Sequence, residues 1–166
     1  ASAQVWTGLL GTLLHPNPQK VFVVGLGTGQ TAGWAAQVDT VINVDVAEIE
    51  PTIATIAKHF APVSYAATVN SKVNLMLTDA REILLTTDVS YDVIASEPSN
   101  PYRAGIASLY TLEFYREVSS RLTEDGIFLQ WLQCYNMDDP TMLTIYATLK
   151  RIFDYVESWE LESGSI

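Results

Sequence analysis

The chain has 166 residues, 48% of them apolar, with a formal net charge of −10 and one cysteine. This is about one domain's worth, enough for a single core and too short for two, so residues 1–166 are read as one domain. The acidic balance argues against nucleic-acid binding, which needs basic surface, and no apolar run approaches the ~20 residues that span a bilayer.

Val5, Trp6, Leu9, Leu10, Leu13 and Leu14 recur at helical spacing and predict an amphipathic helix over 4–14 that lays these six on the core. His15-Pro16-Asn17-Pro18 ends it. Val21 to Val24 read as a strand buried on both faces, followed by glycines at 25, 27 and 29 and a helix over Gln30 to Val38. Val41 to Glu48 predict a second strand, and Pro51 opens a helix to about Phe60. A polar loop over Ser64 to Lys72 precedes a third strand, Val73 to Leu77, and Asp79 precedes a short helix over Ala80 to Thr86. A fourth strand, Tyr91 to Ser96, runs into Glu97-Pro98-Ser99-Asn100-Pro101-Tyr102, where two prolines forbid regular structure. A long helix is expected over Leu109 to Leu122, a turn at Glu124-Asp125-Gly126 and a fifth strand over Ile127 to Leu132. Asp138 caps a last helix whose apolar face is Leu143, Tyr146, Leu149, Ile152 and Phe153, and a sixth strand is expected at Tyr155 to Glu160. Alternating strands and helices give an α/β class: a Rossmann-like, mostly parallel twisted sheet with helices on both faces.

In such a sheet ligands bind outside the carboxyl ends of the strands, where the strand order reverses. The glycine turn, Glu48, Asp79, Glu97 and Gln130 with Gln133 all fall at strand ends and are expected to converge on one crevice. The turn itself is informative. Its sixth position is Gln30 rather than the glycine of the dinucleotide fingerprint, and no Lys-Ser or Lys-Thr pair follows as a P-loop requires. The remaining form, G-x-G-x-G, suits an adenosyl group joined to an amino acid; a tight turn with no ligand is the alternative. Glu48, 23 residues beyond Gly25, stands where a carboxylate accepts both hydroxyl hydrogens of a ribose. Asp79 suits an exocyclic amino group, and either acid is also a candidate helix cap. Glu97, held rigidly before Pro98, is placed to orient or deprotonate a nucleophile; a carboxylate satisfied by loop N–H groups is the alternative.

Other chemistries find little support. His15 and His59 have no partners at metal-ligand spacing, so no metal is expected, and no nucleophile elbow is present. Trp6, Trp34 and Trp131 read as core. Tyr102 and Tyr110 flank the loop after the fourth strand as candidate pocket walls, with core packing an equal alternative. Cys134, in apolar surroundings, is expected to be a buried reduced thiol. The N-terminus carries no secretory pattern, which points to a cytoplasmic domain, with a membrane-embedded segment in a longer parent protein and a homodimer both left open.

Taken together, His15-Pro16-Asn17-Pro18, Gly25 to Gly29, Glu48-Ile49-Glu50, Asp79-Ala80-Arg81, Tyr91-Asp92-Val93-Ile94, Glu97 to Pro101, Leu109-Tyr110, Glu113-Phe114-Tyr115 and Glu124-Asp125-Gly126 stand in one order. In that order the chain resembles the spermidine synthase (polyamine aminopropyltransferase) family. It resembles most the bacterial spermidine-synthase-like domains carried beside membrane segments, which share the class I S-adenosylmethionine-dependent methyltransferase fold. The resemblance implies S-adenosylmethionine or its decarboxylated form as ligand, lined by Gly25, Leu26, Gly27, Thr28 and Gly29. It places Glu48 and Ile49 at the ribose and Asp79 and Ala80 at the adenine. Glu97 falls at the family's catalytic aspartate and also beside the ligand, and Gln4 falls where the family has a glutamine near the reacting end. Gln4, Asn100, Tyr102 and Tyr110 become candidates for holding a small amine such as putrescine. The chain departs from the family pattern at four places: Thr28 and Asn100 stand where the family has aspartates, Glu97 is one methylene longer than the family's aspartate, and the family's N-terminal β domain is not in this sequence. Thr28 cannot repel the carboxylate of S-adenosylmethionine, which motivates methyl transfer as an alternative to aminopropyl transfer. The absent β domain and altered loop motivate a non-catalytic adenosyl-ligand-sensing domain.

Overall fold

A computed structural model of the chain describes residues 2–99, 101–134 and 137–160. Five parallel strands, β1 (Lys20–Val24), β2 (Asn43–Ala47), β3 (Val73–Met76), β4 (Tyr91–Ser96) and β5 (Leu122–Gln130), form one sheet in the order β3-β2-β1-β4-β5. The order reverses between β1 and β4, which lie side by side with Val24 opposite Ser96. Their carboxyl ends therefore open the crevice expected of a doubly wound sheet, with the glycine turn on one lip and Glu97 on the other.

Strand alternation divides the core in two. Val21, Val23, Val44, Val46, Val93 and Ala95 face one side, with Ala32 and Ala35 of α2 (Gln30–Ala35) and Ala57 of α3 (Pro51–Ala57). Phe22, Val24, Tyr91 and Ile94 face the other, with Leu84 of α4 (Ala80–Thr86), Phe114, Tyr115 and Val118 of α5 (Leu112–Ser120) and Ile145 and Leu149 of α6 (Asp139–Leu149). Both faces of the central strands are covered, and β1 accordingly carries an unbroken apolar run, Val21 to Val24. Glu50, Asp79, Thr111 and Asp138 cap α3, α4, α5 and α6, each side chain accepting a backbone N–H of the first turn.

Several expectations are corrected. The first helix, α1 (Ala3–Leu14), buries Val5, Thr7, Gly8, Gly11 and Thr12, while Trp6, Leu13 and Leu14 are exposed. Close approach explains this: a Cβ on Gly8 would collide with the Thr31 carbonyl, and one on Gly11 would stand 2.7 Å from Val93 Cγ1. α2 ends three residues early, and turns continue to Val38. The helix expected over 109–122 is a 3-10 turn, Ile106–Tyr110, broken from α5 by the cap Thr111. Glu124-Asp125-Gly126 is an irregularity inside β5, where Tyr91 opposes Leu122 but Val93 already opposes Ile127. On α6 the inward residues are Ile145 and Leu149, and Leu143 points to solvent. Among the described residues there is no sixth strand; Tyr155 is 93% exposed. Cys134 is exposed rather than buried. No helix among the described residues is long and apolar enough to cross a membrane.

Candidate active site

The glycine turn is shaped by its backbone. Gly25 (φ +88°) and Gly29 (φ +81°) lie in the left-handed region that side chains disfavour, and Gly29 caps α2. The Gly25 N–H donates to the Ala47 carbonyl at 2.8 Å, extending β1's pairing with β2 to the turn. One residue on, the Leu26 N–H donates to Glu48 Oε2 at 2.9 Å, while the Glu50 N–H donates to Glu48 Oε1 at 2.9 Å. Both oxygens of this buried carboxylate are thus held by backbone, and a carboxylate with about four acceptor positions keeps capacity for further donors.

Asp79 begins α4. It accepts the Arg81 N–H at 2.9 Å and pairs with the Arg81 guanidinium, which holds its carboxyl below the usual aspartate range against the opposing effect of partial burial. The capping alternative is therefore realised, and Asp79 still faces the crevice. Glu97, just past β4, accepts the Thr31 hydroxyl at 2.7 Å. Burial pushes the Glu97 carboxyl up, and the Thr31 hydrogen bond opposes that rise without cancelling it.

These groups border one cavity of about 400 Å³, a size suited to a small-molecule ligand. Gly25, Glu48, Ile49, Asp79, Ala80 and Glu97 line it, together with Arg81, Pro98 and Ser99. A segment from Ala104 to Leu109 also borders it, and Gly105 (φ +81°) bends that segment. Sequence reasoning missed this wall because it placed a helix start at Leu109; Gly105 was the available signal. It also missed Thr31, a buried hydroxyl on α2 whose burial itself demanded a partner.

Other expected residues are placed elsewhere. Leu26 packs into the core and contributes its N–H rather than its side chain. Gly27, Thr28 and Gly29 do not border the cavity. Thr28 instead donates to Gln4 Oε1 at 2.7 Å, so Gln4 and the turn form a neutral polar patch beside the mouth. A Cβ on Gly29 would face Ala67 and Ser64, away from the cavity. Tyr110 is buried, and its hydroxyl donates to the Ser99 carbonyl at 2.9 Å, bracing the loop after Glu97 from behind. Tyr102 is exposed and bonded to Thr141 and Asp138 on α6 and its cap, so it is not a wall of this cavity. Gln130 donates to the Leu109 carbonyl at 3.2 Å and supports the far wall. Asn100 lies outside the described residues. Among the described residues no group of three His, Cys, Asp or Glu side chains is gathered as for a metal ion.

Residues 8–160 match the spermine/spermidine synthase domain model. The chain belongs to the spermine/spermidine synthase family. It is 33% identical over 126 residues to a polyamine aminopropyltransferase from Methanocaldococcus jannaschii, covering 75% of this chain and 43% of that protein. It shares its fold with a spermidine synthase solved in complex with the transition-state analogue AdoDATO, at a TM-score of 0.82 and 22% identity, covering 92% of this chain and 53% of that one. The same fold recurs in human methyltransferase-like protein 13 in complex with SAH, at a TM-score of 0.62 and 16% identity over 99% of this chain and 98% of that one. The chain spans about half the length of the curated relatives it matches.

Proposed function

We propose that this chain is the adenosyl-binding portion of a spermidine-synthase-type transferase, moving an aminopropyl group to a small amine such as putrescine. One observation carries the reading: the ends of β1, β2, β3 and β4 bring Gly25, Glu48, Asp79 and Glu97 to a single cavity. S-adenosylmethionine or its decarboxylated form is the ligand proposed for it, and the donor set fits. Glu48 is fixed from behind by two N–H groups, so its free acceptor positions suit ribose hydroxyls. Asp79 and Ala80 open α4 beside it, where the adenine edge is assigned.

When bound, the sulfonium donor supplies an electrophilic carbon and a neutral thioether leaving group. The rest is done by this chain. Glu97 stands at the cavity edge with one oxygen anchored by Thr31, leaving the other for an amine. An attacking amine must be unprotonated, and a carboxylate whose proton affinity is raised by burial is a better acceptor of its proton than an exposed one. Pro98 and the Ala104 to Leu109 segment wall the cavity beside Glu97, which restricts water and fixes the angle of approach.

Methyl transfer is the second reading, and Thr28 is the observation that favours it. Its hydroxyl and Gln4 present no negative charge beside the turn, so nothing there repels an amino-acid carboxylate. Calorimetry with both ligands separates the two: tighter binding of the decarboxylated form supports aminopropyl transfer, and preference for S-adenosylmethionine counts against it. Methylthioadenosine released in the presence of putrescine would rule out a purely ligand-sensing role.

A further inference from the structure

We infer that Thr31 is a positioning residue: its hydroxyl orients the Glu97 carboxylate and ties that carboxylate to the first turn of α1. This rests on the reading of Glu97 as the group that meets the amine. Thr31 is 3% exposed and sits at the second position of α2, directly behind the glycine turn. Its Oγ1 lies 2.7 Å from Glu97 Oε2 and 3.2 Å from the Gln4 carbonyl of α1. A hydroxyl has one proton and here has two acceptors, so it serves one at a time. The contact to Glu97 is the shorter, and an ionised carboxylate is a stronger acceptor than a backbone carbonyl, so with Glu97 ionised the proton goes to the carboxylate. When Glu97 carries a proton, Glu97 donates to Thr31 Oγ1 instead, and the Thr31 proton turns to the Gln4 carbonyl.

The contact is built rather than incidental. Gly8 of α1 has no side chain because the Thr31 carbonyl occupies that space, and this close approach brings the Gln4 carbonyl within reach of the hydroxyl. Gln4 in turn accepts from Thr28 on the glycine turn at 2.7 Å. One chain of contacts thus runs from Glu97 through Thr31 and α1 to the turn. The other ionisable groups bordering the cavity are Glu48 at the end of β2 and the Asp79–Arg81 pair at the start of α4, and their hydrogen bonds go to backbone and to each other.

The test is the titration of Glu97 by carbon NMR in glutamate-labelled protein without ligand, its resonance assigned by its loss in Glu97→Gln. Thr31→Val is nearly isosteric and removes the donor, so the Glu97 midpoint is expected to move up; Thr31→Ala should do the same, and Thr31→Ser should restore it. Aminopropyl transfer to the amine at neutral pH should fall about tenfold to a hundredfold in Thr31→Val and recover in Thr31→Ser. An unmoved midpoint in Thr31→Val and Thr31→Ala overturns the inference, as does loss of fold in both while Thr31→Ser remains native. A moved midpoint with unaltered transfer upholds the Thr31 contact and counts against Glu97 as the group meeting the amine.

Discussion

Glu48 and Leu26 are joined across 22 residues of chain, the carboxylate of one accepting the backbone N–H of the other at 2.9 Å. This bond fixes the glycine turn against the end of β2, so the residue assigned to the ribose also shapes the turn. Glu48→Ala should weaken adenosyl binding by about 1.5 to 3 kcal/mol, the range for a hydrogen bond to a charged group, or roughly 10- to 150-fold. Glu48→Gln is the sharper probe, because its amide nitrogen must face either the Leu26 or the Glu50 N–H, donor against donor. It should lower unfolding stability by about 1 to 3 kcal/mol. Calorimetry and urea unfolding read the two effects, and an unchanged affinity in Glu48→Ala removes Glu48 from the site.

The sheet was legible because buried parallel strands announce themselves: Val21 to Val24 and Val93 to Ala95 are apolar runs that lead to Gly25 and Glu97 at the carboxyl ends. Strand ends determine where the crevice lies, so Glu48, Asp79 and Glu97 could be placed together from spacing alone. α1 was misread for a physical reason. Periodicity rewards leucine, whereas this helix packs through Gly8 and Gly11, whose value lies in what they lack. Tyr110 took the core-packing alternative, while Tyr102 is exposed and bonded to Thr141 of α6, because proline loops fix local stiffness without fixing which way a ring turns. Thr31 was invisible because a buried hydroxyl on a helix carries no periodic signal; its partner is 66 residues away.

Glu97 should leave a signature in the pH dependence of stability. Burial raises its folded-state affinity for a proton above that of the unfolded chain. Between the two values the native state binds more protons, so the stabilisation is full below the ordinary glutamate range, about pH 4.3, and is lost as pH rises through the raised folded value. Glu97→Gln removes this dependence. The variant should therefore unfold at higher temperature than the parent at neutral pH, with the gain disappearing in acid, while aminopropyl transfer falls by about a hundredfold or more. A variant less stable than the parent at neutral pH, with the same pH slope, would contradict the assigned cause.

α1 offers a contrast between its two faces. In an isolated helix Gly→Ala is favourable by about 1 kcal/mol. At Gly8 the new methyl group meets the backbone carbonyl of Thr31, which cannot swing aside as a side chain could. Overpacking of this kind costs about 1 to 3 kcal/mol, so the clash outweighs the propensity and Gly8→Ala should destabilise. Leu13 is 63% exposed, and Leu13→Gln should change stability by no more than about 0.5 kcal/mol. Chemical denaturation of the two variants decides between the faces: the opposite order, with Leu13 sensitive and Gly8 tolerant, would restore the amphipathic reading.

Within the sheet core, Asp45 is a buried carboxylate in the middle of β2, accepting from the Tyr91 hydroxyl and from the Asn74 amide at 2.9 Å each. Burial, and then Asp45 itself, hold the Tyr91 phenol well above its usual range, so it stays a donor at every working pH. Tyr91→Phe keeps the ring's packing on Phe22 but takes a donor from a desolvated charge, and should cost about 1.5 to 3 kcal/mol. Asp45→Asn in the same background removes the stranded charge, so the double variant should be more stable than the two single losses predict when added. Neither residue borders the cavity at the carboxyl ends of the strands, so adenosyl affinity should survive in folded Tyr91→Phe. Strict additivity in the cycle would show that the two groups do not depend on each other, and a lost affinity would show that the core and the mouth are coupled.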